Sequence, residues 1–126
     1  MALPRCDTWP HAVKTPIRGS AREARVQTKL EGRFGKPNVL SERYLRDANG
    51  KIVRDRVTGE ARRVDFVVKG KDGKGTAVEV TSKTAPKTDQ LRKEGRIRNQ
   101  GGTYVRDPKT KELIEVSNIS RVIRLD

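Results

Sequence analysis

Two carboxylates in this chain are spaced so as to face each other. Asp65 lies in Arg62-Arg63-Val64-Asp65-Phe66-Val67-Val68, and Glu79 lies in Thr76-Ala77-Val78-Glu79-Val80-Thr81-Ser82-Lys83. Each run alternates with period two, the pattern of a strand with one buried face. The segment Gly70-Lys71-Asp72-Gly73-Lys74-Gly75 between them predicts a turn centred near Asp72. Asp65 and Glu79 each lie seven positions from that centre, which sets them opposite one another in a hairpin. Val64, Phe66, Val68, Val78 and Val80 are expected on one face, and Asp65, Glu79, Thr81 and Lys83 on the other. Like charges directly opposed across a ladder repel. A divalent cation held by carboxylate oxygens removes that repulsion and supplies a Lewis acid for hydrolysis. A lysine on the same face would hold the attacking water or stabilise charge on a phosphorane. The ordinary alternative is a row of solvated charges bridged to Arg63 or Lys83.

Composition narrows the chemistry. The 126 residues hold 33% hydrophobic and 4% aromatic side chains, so one small domain with a core of Val, Leu and Ile is expected. Lysine and arginine number 29 against 16 acids, a net charge of +13 spread along the chain. Such a field favours a polyanion, nucleic acid first. Sparse aromatics argue against a stacking platform for single strands. No apolar run approaches a membrane span, and the first residues start no signal-peptide pattern. Cys6 is the only cysteine and His11 the only histidine. This counts against an internal disulfide, a cysteine-based zinc site and histidine-based triads. A hydrolase built from this chain must rely on carboxylates and lysine, with a metal.

The elements that must carry these residues follow in order. Residues 1–18 hold Pro4, Pro10 and Pro16 and no periodicity, the look of a linker or leader, although Trp9 could dock onto the body; residues 19–126 form the expected domain. Ser20 to about Phe34 predicts a helix: Ser20-Ala21-Arg22-Glu23 fits a capping box, Val26, Leu30 and Phe34 repeat every four residues, and Gly35 with Pro37 ends it. Val39–Arg46 predicts a strand, Asn49-Gly50 a hairpin turn, and Lys51–Arg54 a returning strand. After the Asp65/Glu79 hairpin, Pro86 to about Asn99 predicts a second helix stopped by Gly101-Gly102, weakened by Gly95 by roughly 1 kcal/mol relative to Ala. Thr103–Arg106, Leu113–Val116 and Val122–Leu125 predict strands. A helix between Val78–Ser82 and Thr103–Arg106 suits a right-handed parallel crossover joining those two strands.

The order, with one acid on each strand of the hairpin, resembles the PD-(D/E)xK nuclease superfamily, from about Ser20 to Arg106. The stretches Arg63-Val64-Asp65-Phe66-Val67, Val78-Glu79-Val80-Thr81-Ser82-Lys83, Thr88-Asp89-Gln90-Leu91-Arg92-Lys93 and Gly101-Gly102-Thr103-Tyr104-Val105 look like the restriction-endonuclease-fold toxin domains of contact-dependent growth inhibition proteins and related secreted effectors. The resemblance implies an α/β fold: an αβββαβ core with a central mixed sheet flanked by two helices, and extra C-terminal β-strands. It also implies that Asp65 and Glu79 bind metal and that a helix glutamate joins them. Glu23 is the candidate, against its capping-box role, with Glu31 and Glu42 as rivals. The motif's lysine position, two after the second acid, holds Thr81; the nearest same-face lysine, Lys83, lies about 6–7 Å further along the strand. Thr81 and Lys83 therefore complete the expected catalytic set. Gln90 and Lys93 share a helix face, and with Arg92 and Arg96 they are expected to track a phosphodiester backbone rather than read bases.

The function expected is a metal-dependent endonuclease using Mg2+ or another divalent ion (Mn2+ or Zn2+) and acting as an interbacterial toxin. DNA is slightly favoured over tRNA because the core resembles restriction enzymes. The resemblance further implies secretion within a larger effector, action in the cytoplasm of a target bacterium, and a cognate immunity protein, which the charge of the toxin predicts to be acidic. The alternatives are a tRNA-cleaving toxin with the same site and a non-catalytic basic nucleic-acid-binding module.

Overall fold

The computed structural model describes residues 19–125. The leader at 1–18, with Cys6, Trp9 and His11, lies outside the described residues. The order is α1 (Gly19–Phe34), β1 (Val39–Tyr44), β2 (Arg63–Lys69), β3 (Gly75–Ser82), α2 (Thr88–Asn99), β4 (Tyr104–Arg106), β5 (Leu113–Glu115) and β6 (Arg121–Leu125). A mixed four-stranded sheet runs β1-β2-β3-β6, and β4-β5 form a separate hairpin. This is a small α/β domain with two helices, a central mixed sheet and additional C-terminal strands. No helix among the described residues is long and apolar enough to cross a membrane.

The hairpin forms as its alternation predicts, with Phe66 opposite Val78, Val67 opposite Ala77 and Val68 opposite Thr76. One apolar layer joins Val26 and Leu30 of α1 to Phe66, Val68, Val78, Val80, Ile123 and Leu125 of the sheet. A second layer joins Val67, Ala77, Leu40 and Leu45 to Ile97 of α2 and to Val105 and Ile114 of the small hairpin. The helices thus cover different layers, and both layers are needed because β2 and β3 are buried along most of their length.

Four expectations are corrected. Val64 joins the second layer with Val67, not the first with Phe66 and Val68. Alternation breaks at Asp65, beside a distortion in β1: Glu42 has φ 53, and the pairing passes from Ser41–Phe66 to Arg43–Val64. Thr103–Arg106 is not the crossover strand. The parallel partner of β3 is β6, with Val80 opposite Ile123 and Ser82 opposite Leu125. β6 brings two buried apolar residues to the layer under α1, whereas β4 has three residues with one buried. Lys51–Arg54 returns only through the isolated bridges Arg46–Ile52 and Arg54–Ala61. Ser20 is already inside α1, so it does not start the helix as the capping box requires.

Candidate functional site

Asp65 sits where the β2–β3 ladder ends. The last pair is Phe66–Val78, and beyond it the Asp65 side chain replaces the backbone: the Val80 N–H donates to Asp65 Oδ2 at 2.8 Å. β3 meanwhile continues along β6 as far as Ser82. The two strands therefore part at the two acids, and Asp65 and Glu79 act on each other electrostatically. Burial pushes the Asp65 carboxyl up, the neighbouring charges of Glu79 and Glu23 push it further, and it reaches about 7 despite the opposing Val80 bond. Glu23, on α1, is also raised, first by burial, then by Glu42 and Glu79, with Arg63 and Arg22 pulling the other way. Glu23, Glu42, Asp65 and Glu79 thus share one local field.

Glu79 is buried, at 5% exposure, and is held by two cations. Arg62 Nη2 lies 2.9 Å from its Oε2, and Lys87 Nζ lies 3.3 Å from its Oε1. Arg62 is itself buried and uses its Nε to donate to Glu94 Oε1 at 3.0 Å. Glu94, fully buried on α2, also accepts the Ser120 N–H at 2.5 Å and the Ser120 hydroxyl at 2.7 Å. The chain of contacts Lys87–Glu79–Arg62–Glu94–Ser120 fixes the carboxylate by ties to β2, α2 and the start of β6. A buried charge costs several kcal/mol unless paired, and here every carboxylate oxygen of Glu79 and Glu94 has a partner.

The other expected residues divide. Thr81 follows Glu79 on β3 but is 4% exposed, which closes its hydroxyl off from a bound strand. Lys83 lies one residue past the end of β3 and is exposed, on a loop whose carbonyls at Ser82 and Ala85 accept from Arg124 at 3.1 and 2.8 Å. Gln90 reaches the site through Lys87, whose Nζ donates to Gln90 Oε1 at 3.2 Å. Arg92 is exposed on α2. Lys93 pairs with Glu60 at 3.6 Å, and Arg96 grips Asp55 with two bonds of 2.8 Å. The rival Glu31 accepts from Gln27 on its own helix, and no contact brings it to Asp65 or Glu79.

Sequence reasoning missed Arg62, Lys87, Glu94 and Ser120. One signal existed: Leu91, Glu94 and Ile97 recur every three residues on α2, so Glu94 falls on the face that Ile97 buries. A carboxylate there demands a buried cation.

The donor set is oxygen only, which suits a hard ion. Asp65 keeps one oxygen outside its bond to Val80, and the shared field with Glu23 and Glu79 favours a cation over three adjacent negative charges. Among the described residues no three His, Cys, Asp or Glu side chains are already arranged as a metal-binding group. Asp65, Glu79 and Glu23 offer carboxylate oxygens, the kind of donor such an ion takes, and Lys87 shares the Glu79 Oε1. No protein-family model, curated protein or solved structure matches the chain.

Proposed function

We propose that the chain is a metal-dependent nuclease, a phosphodiester hydrolase acting on DNA in preference to tRNA. One observation carries this reading: the β2–β3 ladder ends just before Asp65 and Glu79, which act on each other electrostatically, and each carboxylate is held by the chain. Asp65 and Glu79 would hold the ion, with Glu23 as the third carboxylate. Bound there, Mg2+ or a similar hard ion supplies a water of lowered pKa and offsets charge on the scissile phosphate.

The remaining work falls to the chain. Arg62, anchored by Glu94, keeps Glu79 oriented. Lys87 pairs with the other oxygen of Glu79. Lys83, on the loop at the end of β3, would hold the water or the phosphate. The resemblance extends the proposal to an interbacterial toxin, carried by a larger effector into a target cell and neutralised by an acidic immunity protein with fast, salt-sensitive association.

The test is incubation with plasmid DNA and total tRNA, with Mg2+, Mn2+, Zn2+ and EDTA in parallel. Cleavage in a divalent ion, lost in EDTA and in Asp65→Ala, supports the enzyme and names the substrate. A second reading, a non-catalytic nucleic-acid-binding module, is favoured by the cations already on both oxygens of Glu79. Tight binding by the wild type, with no cleavage under any metal, would establish it instead.

A further inference from the structure

The expected backbone-tracking surface was α2, but acids partner several of its cations. Lys87 is taken by Glu79, Lys93 by Glu60 and Arg96 by Asp55. A different cluster of arginines has no such ion pair among the described residues. Glu42, Arg43, Tyr44, Arg46, Arg63 and Arg106 line a depression of about 310 Å³. Its four arginines come from β1, the segment after it, β2 and β4, so only the folded chain gathers them.

We propose that this depression binds the phosphodiester backbone of a nucleic-acid duplex next to the Asp65–Glu79 site. The inference rests on the reading that the chain acts on nucleic acid.

Among the described residues none of the four arginines pairs with a carboxylate within 4 Å. Three of them are instead fixed by backbone carbonyls. Arg43 Nε donates to Ser41 O at 3.0 Å, Arg46 Nη1 to Gly50 O at 2.8 Å, and Arg106 Nη1 to Lys111 O at 2.7 Å. A carbonyl orients a guanidinium without cancelling its charge, and it uses one of five donors. The rest stay available for phosphate oxygens, which guanidinium matches in a bidentate fork.

The depression also adjoins the acids. Glu42 lines it and acts electrostatically on Glu23, as does Arg63, two residues before Asp65. A phosphate seated among the arginines would place its neighbour on the strand toward the carboxylates. Among the described residues Tyr44, 39% exposed, is the one aromatic lining it, too little for a stacking platform. Backbone recognition of a duplex needs none.

The experiment is fluorescence anisotropy in EDTA over a series of salt concentrations, with a labelled 20-base-pair DNA duplex and a labelled folded tRNA as separate probes. Arg43→Gln/Arg63→Gln is compared with wild type and with Lys71→Gln/Lys109→Gln, which removes the same charge from exposed turns. We expect about a tenfold weaker complex for the arginine variant and a slope of log affinity against log salt reduced by about 2. The turn variant should weaken binding less than about threefold. Loss on either probe supports the site, and the larger loss names DNA or RNA as its source. Unchanged affinity and slope in a folded arginine variant, or no binding of either probe by the wild type, overturns it. Should the double variant not fold, Arg63→Gln alone, at an exposed position, is read for half the change in slope.

Cleavage by the same proteins separates the two ideas. A wild type that binds through the arginines but cleaves nothing ends the nuclease reading and leaves this one standing. A wild type that cleaves, and an arginine variant that binds and cleaves equally well, do the reverse.

Discussion

Asp65 is a carboxyl that the fold prefers neutral. Its folded pKa of about 7 lies above its ordinary value, so the stability it contributes is fully present below about pH 4 and is lost as the pH rises through about 7. Without metal, the wild type should therefore lose about 1–2 kcal/mol from this group between pH 5 and 8, after allowance for solvent screening. Asp65→Asn, which keeps an oxygen for the Val80 N–H, should flatten that part of the profile and melt higher than wild type at pH 8 in EDTA. Equal pH slopes for the two proteins would contradict the assignment. If Asp65 holds the metal as proposed, the ion must displace the same proton, so Mn2+ affinity read by calorimetry should tighten from pH 6 to 8 in the wild type and not in Asp65→Asn. Lys87→Gln removes the cation that shares a Glu79 oxygen, so it should tighten Mn2+ binding severalfold while leaving the melting temperature within a few degrees.

At the scale of elements, one buried knot joins four of them. Arg62 at the threshold of β2 meets Glu79 of β3 and Glu94 of α2, and Glu94 holds Ser120 at the threshold of β6. Arg62→Leu would strand two buried carboxylates, and breaking a buried pair costs about 3–5 kcal/mol. Urea unfolding should show that loss; less than about 1 kcal/mol would mean that water or a rearranged cation replaces the guanidinium. The end of α2 is a second element-level device. Gly101 has φ 96, its N–H donates to Arg98 O, and the Gly102 N–H donates to Ile97 O at 2.8 Å, a Schellman ending. Gly101→Ala should cost about 1 kcal/mol through backbone strain alone. Gly102→Ala should cost more, because its Cβ would lie 2.9 Å from the Ile97 carbonyl oxygen and against that side chain. Thermal melts order the two variants, and the reverse order would show that the turn can relax.

For the whole molecule, the charge of +13 matters less than where acids leave it uncancelled. α2 looks basic in sequence, but Asp55, Glu60 and Glu79 answer several of its cations. The arginines between β1, β2 and β4 lack such partners among the described residues. With four phosphate contacts there, duplex affinity should fall about a hundredfold between 50 and 200 mM salt. A change below about threefold would show that binding, if seen, is not carried by phosphate contacts. An acidic immunity protein would compete for the same face, so it should displace the duplex in the anisotropy assay.

The hairpin and α1 were legible in the chain because periodicity and register are counted over a few neighbouring residues. The αβββαβ order was legible for the same reason. The neighbour that β3 takes in parallel was not, since β4 and β6 both follow α2 and only packing under α1 distinguishes Ile123 and Leu125 from Val105. Nor could sequence show that Val64 turns to the layer of Val67, which follows from the break beside Glu42. The partners of Glu79 lie seventeen residues before it and eight after it, and the four arginines span residues 43 to 106. Such side chains meet only when layers close over the sheet, because charge and hydrogen-bond complementarity between distant elements leaves no repeat along the chain.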